Sequence, residues 1–504
     1  MPFSPVKILS APGVQRDGTQ FDSKNYIDAK WCRFQMGRPR KMGGYQAVTS
    51  TLPEIVHGMH VYSASGVQYA HVGSGGQLNQ VLVNSSGSFA GLHNRTPIAH
   101  IANPNSLWQF EVFWDGAGSA ANKLIAHGPP NLSSIDAETD TPIYFGDITG
   151  VGPLTDTGSD PVSGGVLVLA PFLLTFGSNG QVNISFEGDP TSVEVTAFVT
   201  GSKIIRGLPV RGNSSGPSGL LWSLDSLILA TFTDISLGTF GFNTLSAKSS
   251  VLSSQGIIEY DGIYYWAGSG RFLQFNGVLQ ELPNTMNLNY FFDNLNRAER
   301  QKVFAFSVPR YGEIWWCFPF GDATECTHAV VYNVREKSWY DTILPSNGRS
   351  AGYFADIYGL PFMTDVEQTD QGYTFWENEI GVNQVRGSQS LAIESYFETS
   401  EISMLTADQP VDKALSASYI EPDFVQVGDM TVQVRGRANA RAPLIDGEIK
   451  TFVAVPTTAA EQLVEVKDTK RLMRFKFGSN IQDGHYQMGQ PLVHLGPADG
   501  RVTQ

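Results

Sequence analysis

The sequence predicts a mainly all-β chain: a β-propeller of six or seven blades, preceded by an extended basic arm and followed by an antiparallel β domain. Three observations carry this expectation. Glycine (52) and proline (27) together exceed the ~12% usual for globular chains, so turns are frequent. Aromatic residues reach 11%, which excludes disorder. Short β-type runs broken by Gly, Asn, Asp and Ser recur roughly every 40 to 50 residues, the length of a four-stranded blade.

Residues 1–50 read as a separate module. They hold eight basic side chains, among them Arg33, Arg38, Arg40 and Lys41, against three acidic ones, in a chain whose net charge is −14. Without a sustained helical or strand period, this stretch is expected to lie as an arm on a partner or on the body of the protein. Residues 51–385 carry the blades. Hairpins or meanders are expected at 61–72, 166–186, 220–232, 257–275, 313–340 and 353–376. In GIIEYDGIYYWAGSGRFLQFNG (256–277), Asp261-Gly262 and Gly268-Ser269-Gly270 separate three strands, and Asn276-Gly277 closes the last. The order of EIWWCFP, HAVVYN and Trp339 resembles a kelch-like blade. Wedge-shaped gaps between blades need large side chains, a task suited to Trp266, Trp315, Trp316, Trp339 and Trp376; a carbohydrate-stacking platform is the other reading of these rings.

Between two blades, Leu288, Phe291, Phe292 and Leu295 show a three-to-four spacing, which predicts a short amphipathic helix within 285–302. The segment 381–390 has a linker's composition. Residues 386–504 alternate polar and apolar side chains, as half-exposed strands of a sandwich or barrel do.

Charge and composition exclude a nucleic-acid wrapper, which needs a basic surface. Cys32, Cys317 and Cys326 show no paired spacing and read as small buried hydrophobes. The longest apolar run, Val166 to Phe176, is too short to span a bilayer and contains Pro171, so no membrane segment is expected. No motif predicts catalysis, a metal or a cofactor. Gly212-Asn213-Ser214-Ser215-Gly216 has the spacing of a nucleophile elbow but precedes a β-type run instead of a helix. His57 and His60 sit three apart on a strand, which turns them to opposite faces. Glu394, Glu398 and Glu401 read as a solvated face instead of a glycosidase pair.

Two stretches carry a resemblance. Gly13 to Tyr45, with its RDGT turn, WCRF strand and GRPRKMGGY ending, resembles the N-terminal arm of the tail nozzle, or hub, proteins of short-tailed bacteriophages. Tyr290 to Tyr340, where FFDNLNRAERQKVFAF leads into GEIWWCFPF and VVYNVREKSWY, is similar to the same family, and IESYFETSEISM adds a weaker match. The resemblance implies a propeller platform in a homohexameric ring of the virion tail. Such a ring, assembled in the host cytoplasm, retains packaged DNA, docks to the portal adaptor and to tail spikes or fibres, and opens for ejection. Double-stranded DNA would pass through without sequence-specific binding. On this view Arg33, Arg38, Arg40 and Lys41 are candidate contacts to a neighbouring subunit or the adaptor. A phage receptor-binding or polysaccharide-depolymerising propeller is the alternative.

Overall fold

A computed structural model describes residues 3–64, 67–83, 89–96, 100, 102–103, 106–114, 122–128, 143–146, 152–154, 162–211, 216–234, 239–404 and 414–498. Residues 212–215 of the glycine-serine motif lie outside the described residues.

Short β-type runs form six four-stranded antiparallel blades and a seventh blade whose sheet extends to six strands. Blade 1 opens with Val56–Ala64, blade 2 with Gln109–Trp114, blade 3 with Gly165–Leu169, blade 4 with Ile204–Pro209, blade 5 with Ile257–Tyr260, blade 6 with Phe304–Val308 and blade 7 with Arg349–Ala355. Opening strands of adjacent blades abut around the ring, blades 4 and 5 share a core through Trp222 and Trp266, and the opening strand of blade 7 meets that of blade 1, so the array closes into a β-propeller.

Blade 6 shows how sequence sets the packing. In Glu313–Phe318 every residue is buried. Ile314, Trp316 and Phe318 join the core shared with blade 5, whereas Trp315 and Cys317 join a second core on the opposite face. Both faces of a blade are interior, so a strict polar–apolar alternation is absent where packing is tightest.

The seventh blade draws on both ends of the propeller. Arg349–Ala355, Leu360–Asp365 and Tyr373–Asn378 supply three strands, and Tyr45–Leu52 supplies the fourth, pairing Trp376 with Ala47 and Phe375 with Thr49. The segment with a linker's composition does not separate domains here. It forms the hairpin Gln384–Arg386 and Gln389–Leu391, which adds to the same sheet alongside Tyr45–Leu52.

The arm is not a free module. Ser4–Lys7 pairs with Leu492–Ala498, Asp28–Lys30 with Ser395–Glu398, and the hairpin Cys32–Gln35/Arg38–Lys41 with His485–Met488. Each of the three C-terminal sheets therefore includes a strand from residues 4–41. The physical reason is edge protection: the C-terminal strands leave open edges, and the arm covers them. The largest core runs without interruption from blades 6 and 7 through Trp31, Phe34 and Tyr45 into Phe397, Phe475 and Phe477.

The expected helix is shorter than its spacing suggests. An α-helix spans Leu288–Asn294 and a 3-10 helix Arg297–Lys302. Its own N-cap residue, Asn287, makes no side-chain cap bond; instead the Asp17 carboxylate of the arm accepts from the amides of Asn289 (2.8 Å) and Tyr290 (2.9 Å). A cap supplied across more than 270 residues of sequence holds a helix too short to persist alone.

Because Tyr45–Leu52 is an interior strand, Ala47→Pro is expected to destabilise the chain by about 1–3 kcal/mol or more, the cost of a lost ladder bond. A lowered urea midpoint checks this; an unchanged midpoint contradicts closure by this strand.

Candidate functional site

Two sites concentrate charge: the junction where the arm enters the body, where it is buried, and the axial cavity of the propeller, whose Arg206 and His60 are half-buried. At the junction, Arg33 is 1% exposed. Its Nη1 donates to Glu379 Oε2 (2.8 Å), its Nη2 to Glu379 Oε1 (2.5 Å), and its Nε lies 2.8 Å from Glu313 Oε1. The guanidinium stacks 3.7 Å from the centre of the Tyr311 ring. Glu313 also accepts from the Tyr340 hydroxyl (2.6 Å) and Trp315 Nε1 (3.0 Å). Burial opposes the charge on Arg33, but Glu313 and Glu379 outweigh it and hold its pKa above the usual value. Burial raises Glu313, and the second carboxylate nearby adds to that.

Neighbouring contacts extend this junction. Arg16 pairs with Asp341 (2.7 Å) and Asp28 (2.8 Å) and stacks on Tyr290. The Trp31 amide donates to Thr342 Oγ1 (2.8 Å), Trp31 meets Trp315 edge to face, and Phe34 meets Tyr340 likewise. Gly13, at φ +99°, leaves no room for a Cβ beside Trp339 O and Met286.

The four arm cations expected to face a partner divide into two pairs. Arg33 and Lys41 are interior, which corrects that expectation: Lys41 Nζ donates to Gly484 O (2.8 Å), and burial lowers its pKa to about 8. The cause is that their hairpin packs against blade 6 and is paired along its edge with His485–Met488. Arg38 and Arg40 are half-buried; Arg40 Nη1 donates to Gln35 Oε1 (2.6 Å). Between them and Gln35 the turn Met36-Gly37, with φ 51° and 72°, presents Met36 to solvent at 80% exposure. The hairpin tip, which sequence reasoning did not single out, is thus the exposed part of the basic segment.

Trp266, Trp315, Trp316, Trp339 and Trp376 are all buried. Trp266 meets Trp222 of blade 4 edge to face and donates to Ser250 O; Trp316 donates to Gly256 O and Trp339 to Pro283 O. Trp315 and Trp376 donate to the buried carboxylates of Glu313 and Asp365. With indole faces packed and N–H groups satisfied, none is presented to a sugar.

The glutamate cluster also departs from expectation. Glu394 does pair at the surface with Lys30, but Glu398 is buried between Arg435 and Arg474, and Glu401 is held by Arg437. Strand neighbours rich in arginine make burial of these carboxylates tolerable. His57 contacts Glu325 at 3.2 Å, with Lys302 on the same carboxylate, while His60 turns toward the axis. Among the described residues, no group of three or more His, Cys, Asp or Glu is placed to hold a metal ion. No helix among them is long and apolar enough to cross a membrane.

The axial cavity, of about 590 Å³, is lined by opening strands of the blades, including His60, Gln109, Arg206, Ile257, Phe304, Phe306 and Tyr353. Arg206 of blade 4 lines it, and Glu111 of blade 2, which is not part of the lining, acts on Arg206 electrostatically. Burial raises Glu111 from an ordinary 4.5 to about 7 and lowers His60 to about 4. Sequence reasoning missed Glu111 and Arg206. Their signal was a single charge inside an otherwise apolar opening strand, QFEVFW and IIRGLP.

No family model matches the chain, and no curated protein matches it. Among solved structures, it is similar to one titled "Crystal structure of BBS1N in complex with ARL6DN, soaked with lead", at 10% identity and a TM-score of 0.41, over 68% of this chain and 98% of that one.

Two predictions follow from these charges. Arg33→Met leaves Glu313 and Glu379 buried without their cation and is expected to cost about 3–5 kcal/mol at neutral pH, measured by denaturant unfolding; combining it with Glu313→Gln should recover part of the loss. For Glu111 the folded pKa lies above the unfolded one, so its contribution is most favourable at low pH and is lost as pH rises from 4.5 through about 7. Relative to Glu111→Gln, the natural chain should lose about 2–3 kcal/mol of stability between pH 5 and pH 8, compared by urea midpoints at the two pH values. Parallel pH profiles for the two chains would refute this assignment.

Proposed function

We propose that the protein is a structural component of a short phage tail, a nozzle or hub protomer, and not an enzyme. In this reading six copies form a ring around the DNA path, retain the packaged genome, dock to the portal adaptor and to tail spikes or fibres, and open for ejection; the site of action is the virion. One observation supports it above the others. The three stretches that resemble the nozzle family, distant in sequence, are packed on one another. Arg16 and Arg33 of the first bind Asp341, beside the end of the second, and Glu313 within it. Asp17 caps the helix of the second, and Lys30 binds Glu394 of the third. A resemblance spread by accident over the chain has no reason to converge on one structural unit.

Charge and dimensions fit the same reading. Six copies at −14 carry about −84 formally before counterions, and a conduit of the cargo's own sign lets a polyanion slide. The axial cavity, equivalent to a cube about 8 Å on edge, is smaller than the ~12 Å major groove of B-DNA alone. In this reading the DNA path runs between protomers and not through one propeller. The receptor-binding or depolymerase alternative drew on exposed aromatic rings, and the five tryptophans proposed for stacking are buried.

Residues 1–45 supply strands to all three C-terminal sheets, so deleting them disrupts folding as well as docking. The hairpin tip gives a cleaner test. The purified chain, alone or mixed with the portal adaptor, is expected to give sixfold rings by negative-stain microscopy. Met36→Asp combined with Arg38→Glu should reduce ring or adaptor-bound particles at least tenfold without lowering the melting temperature. A monomer that binds or cleaves polysaccharide would overturn the proposal.

A further inference from the structure

We propose that the axial cavity of the propeller binds a small oxyanion, a carboxylate or a phosphate, on the guanidinium of Arg206. The proposal starts from a contrast between two arginines. Arg33 is buried and receives two carboxylates and a tyrosine ring. Arg206 lines the cavity, and its buried Nε has no hydrogen-bond partner among the described residues. Glu111 acts on it electrostatically but appears in no ion pair with it among the described residues, and burial outweighs Glu111 and Tyr353 and lowers its pKa. A guanidinium kept this way has an obvious complement, since its planar fork matches carboxylate and phosphate oxygens.

The surroundings select a small, compact ligand. Ile257, Phe304, Phe306 and Phe354 contribute apolar wall, which keeps the local dielectric low and strengthens an ion pair formed inside. The Tyr353 hydroxyl belongs to the same lining, and burial raises its pKa to about 12, so it remains protonated and able to donate. His60 is held neutral by burial and by Arg206 and can donate from one ring nitrogen. The Gln255 amide is occupied, donating to His57 O and Trp108 O. The lining itself carries three acids: Glu259, which accepts from the Gly262 amide, and Asp261 and Asp356, which are solvent-exposed, as is Arg211. Glu111 lies outside the lining but is electrostatically coupled to Arg206, so its ionisation opposes an entering anion and occupancy should fall as it ionises. A volume of about 590 Å³ admits such an ion with water but not a polymer.

The test is thermal unfolding of the full chain with sodium phosphate or sodium acetate against sodium chloride at matched ionic strength, at pH 6 and at pH 8. A saturable rise in melting temperature with one or both oxyanions, larger at pH 6, is expected; which salt acts separates the phosphate from the carboxylate source. Arg206→Gln should abolish the rise, and Glu111→Gln should keep it at pH 8. Should Arg206→Gln fail to fold, Arg206→Lys keeps the charge without the fork and should weaken the apparent affinity about tenfold. No rise in the natural chain, or an equal rise in the Arg206 variant, overturns the proposal. Neither outcome bears on ring assembly, which is read separately by microscopy.

Discussion

The organisation of this protein depends on one strand, Tyr45–Leu52, which closes the propeller by pairing with Tyr373–Asn378. A ring of sheets has two chain ends to reconcile. Here the end that comes first supplies the fourth strand of the last blade. The chain therefore cannot complete its propeller until residue 378 has been made, and everything before residue 45 is carried to the same side as everything after it. The interleaving of arm and C-terminal sheets follows from this placement: once both termini emerge at blade 7, each covers edges that the other leaves open.

Buried charge then fixes the arm against blade 6. Arg33 could not enter the core alone, because an unpaired guanidinium there would be prohibitive; Glu313 and Glu379 come from blade 6 and from the end of blade 7, so the ion pair forms only when ring and arm are both in place. The same logic applies to Arg16 with Asp341 and to Asp17 at the helix N-terminus. Each contact is worth little before the ring closes. Long-range polar contacts of this kind select one arrangement of the modules over others that would bury similar apolar area.

Much of the architecture was legible because it rests on local chemistry. The spacing of turn signals marks the blades, Asp261-Gly262 and Asn276-Gly277 stand at turns, and the large rings fill the gaps between sheets. What was not legible depends on partners remote in sequence. The arm showed no sustained strand period because its strands are three or four residues long and take partners from beyond residue 390. Arg33 and Lys41 looked like surface cations because nothing local announces Glu313, Glu379 or the carbonyl of Gly484. The helix was overextended because Leu295 fits the spacing, yet it leaves the helix to bridge Phe320 in a β contact. Composition alone misread 381–390, where turn-forming residues serve a hairpin that widens blade 7.

The placement of the arm also limits how such a molecule could change shape. A free tail would allow the propeller and the C-terminal sheets to move apart on a tether. Here Asp28–Lys30 runs in one sheet with Ser395–Glu398 while Tyr45–Leu52, only fifteen residues later, is an interior strand of blade 7. Separating the two parts would break strand pairing in both and expose Arg33 with its two carboxylates. The cost makes hinge motion within one chain unfavourable relative to movement between chains. If the protein works in a ring that opens, the movement belongs to the contacts between protomers, and the exposed hairpin tip at Met36, rigidly mounted on the junction, is where such movement would be coupled to the body of each subunit.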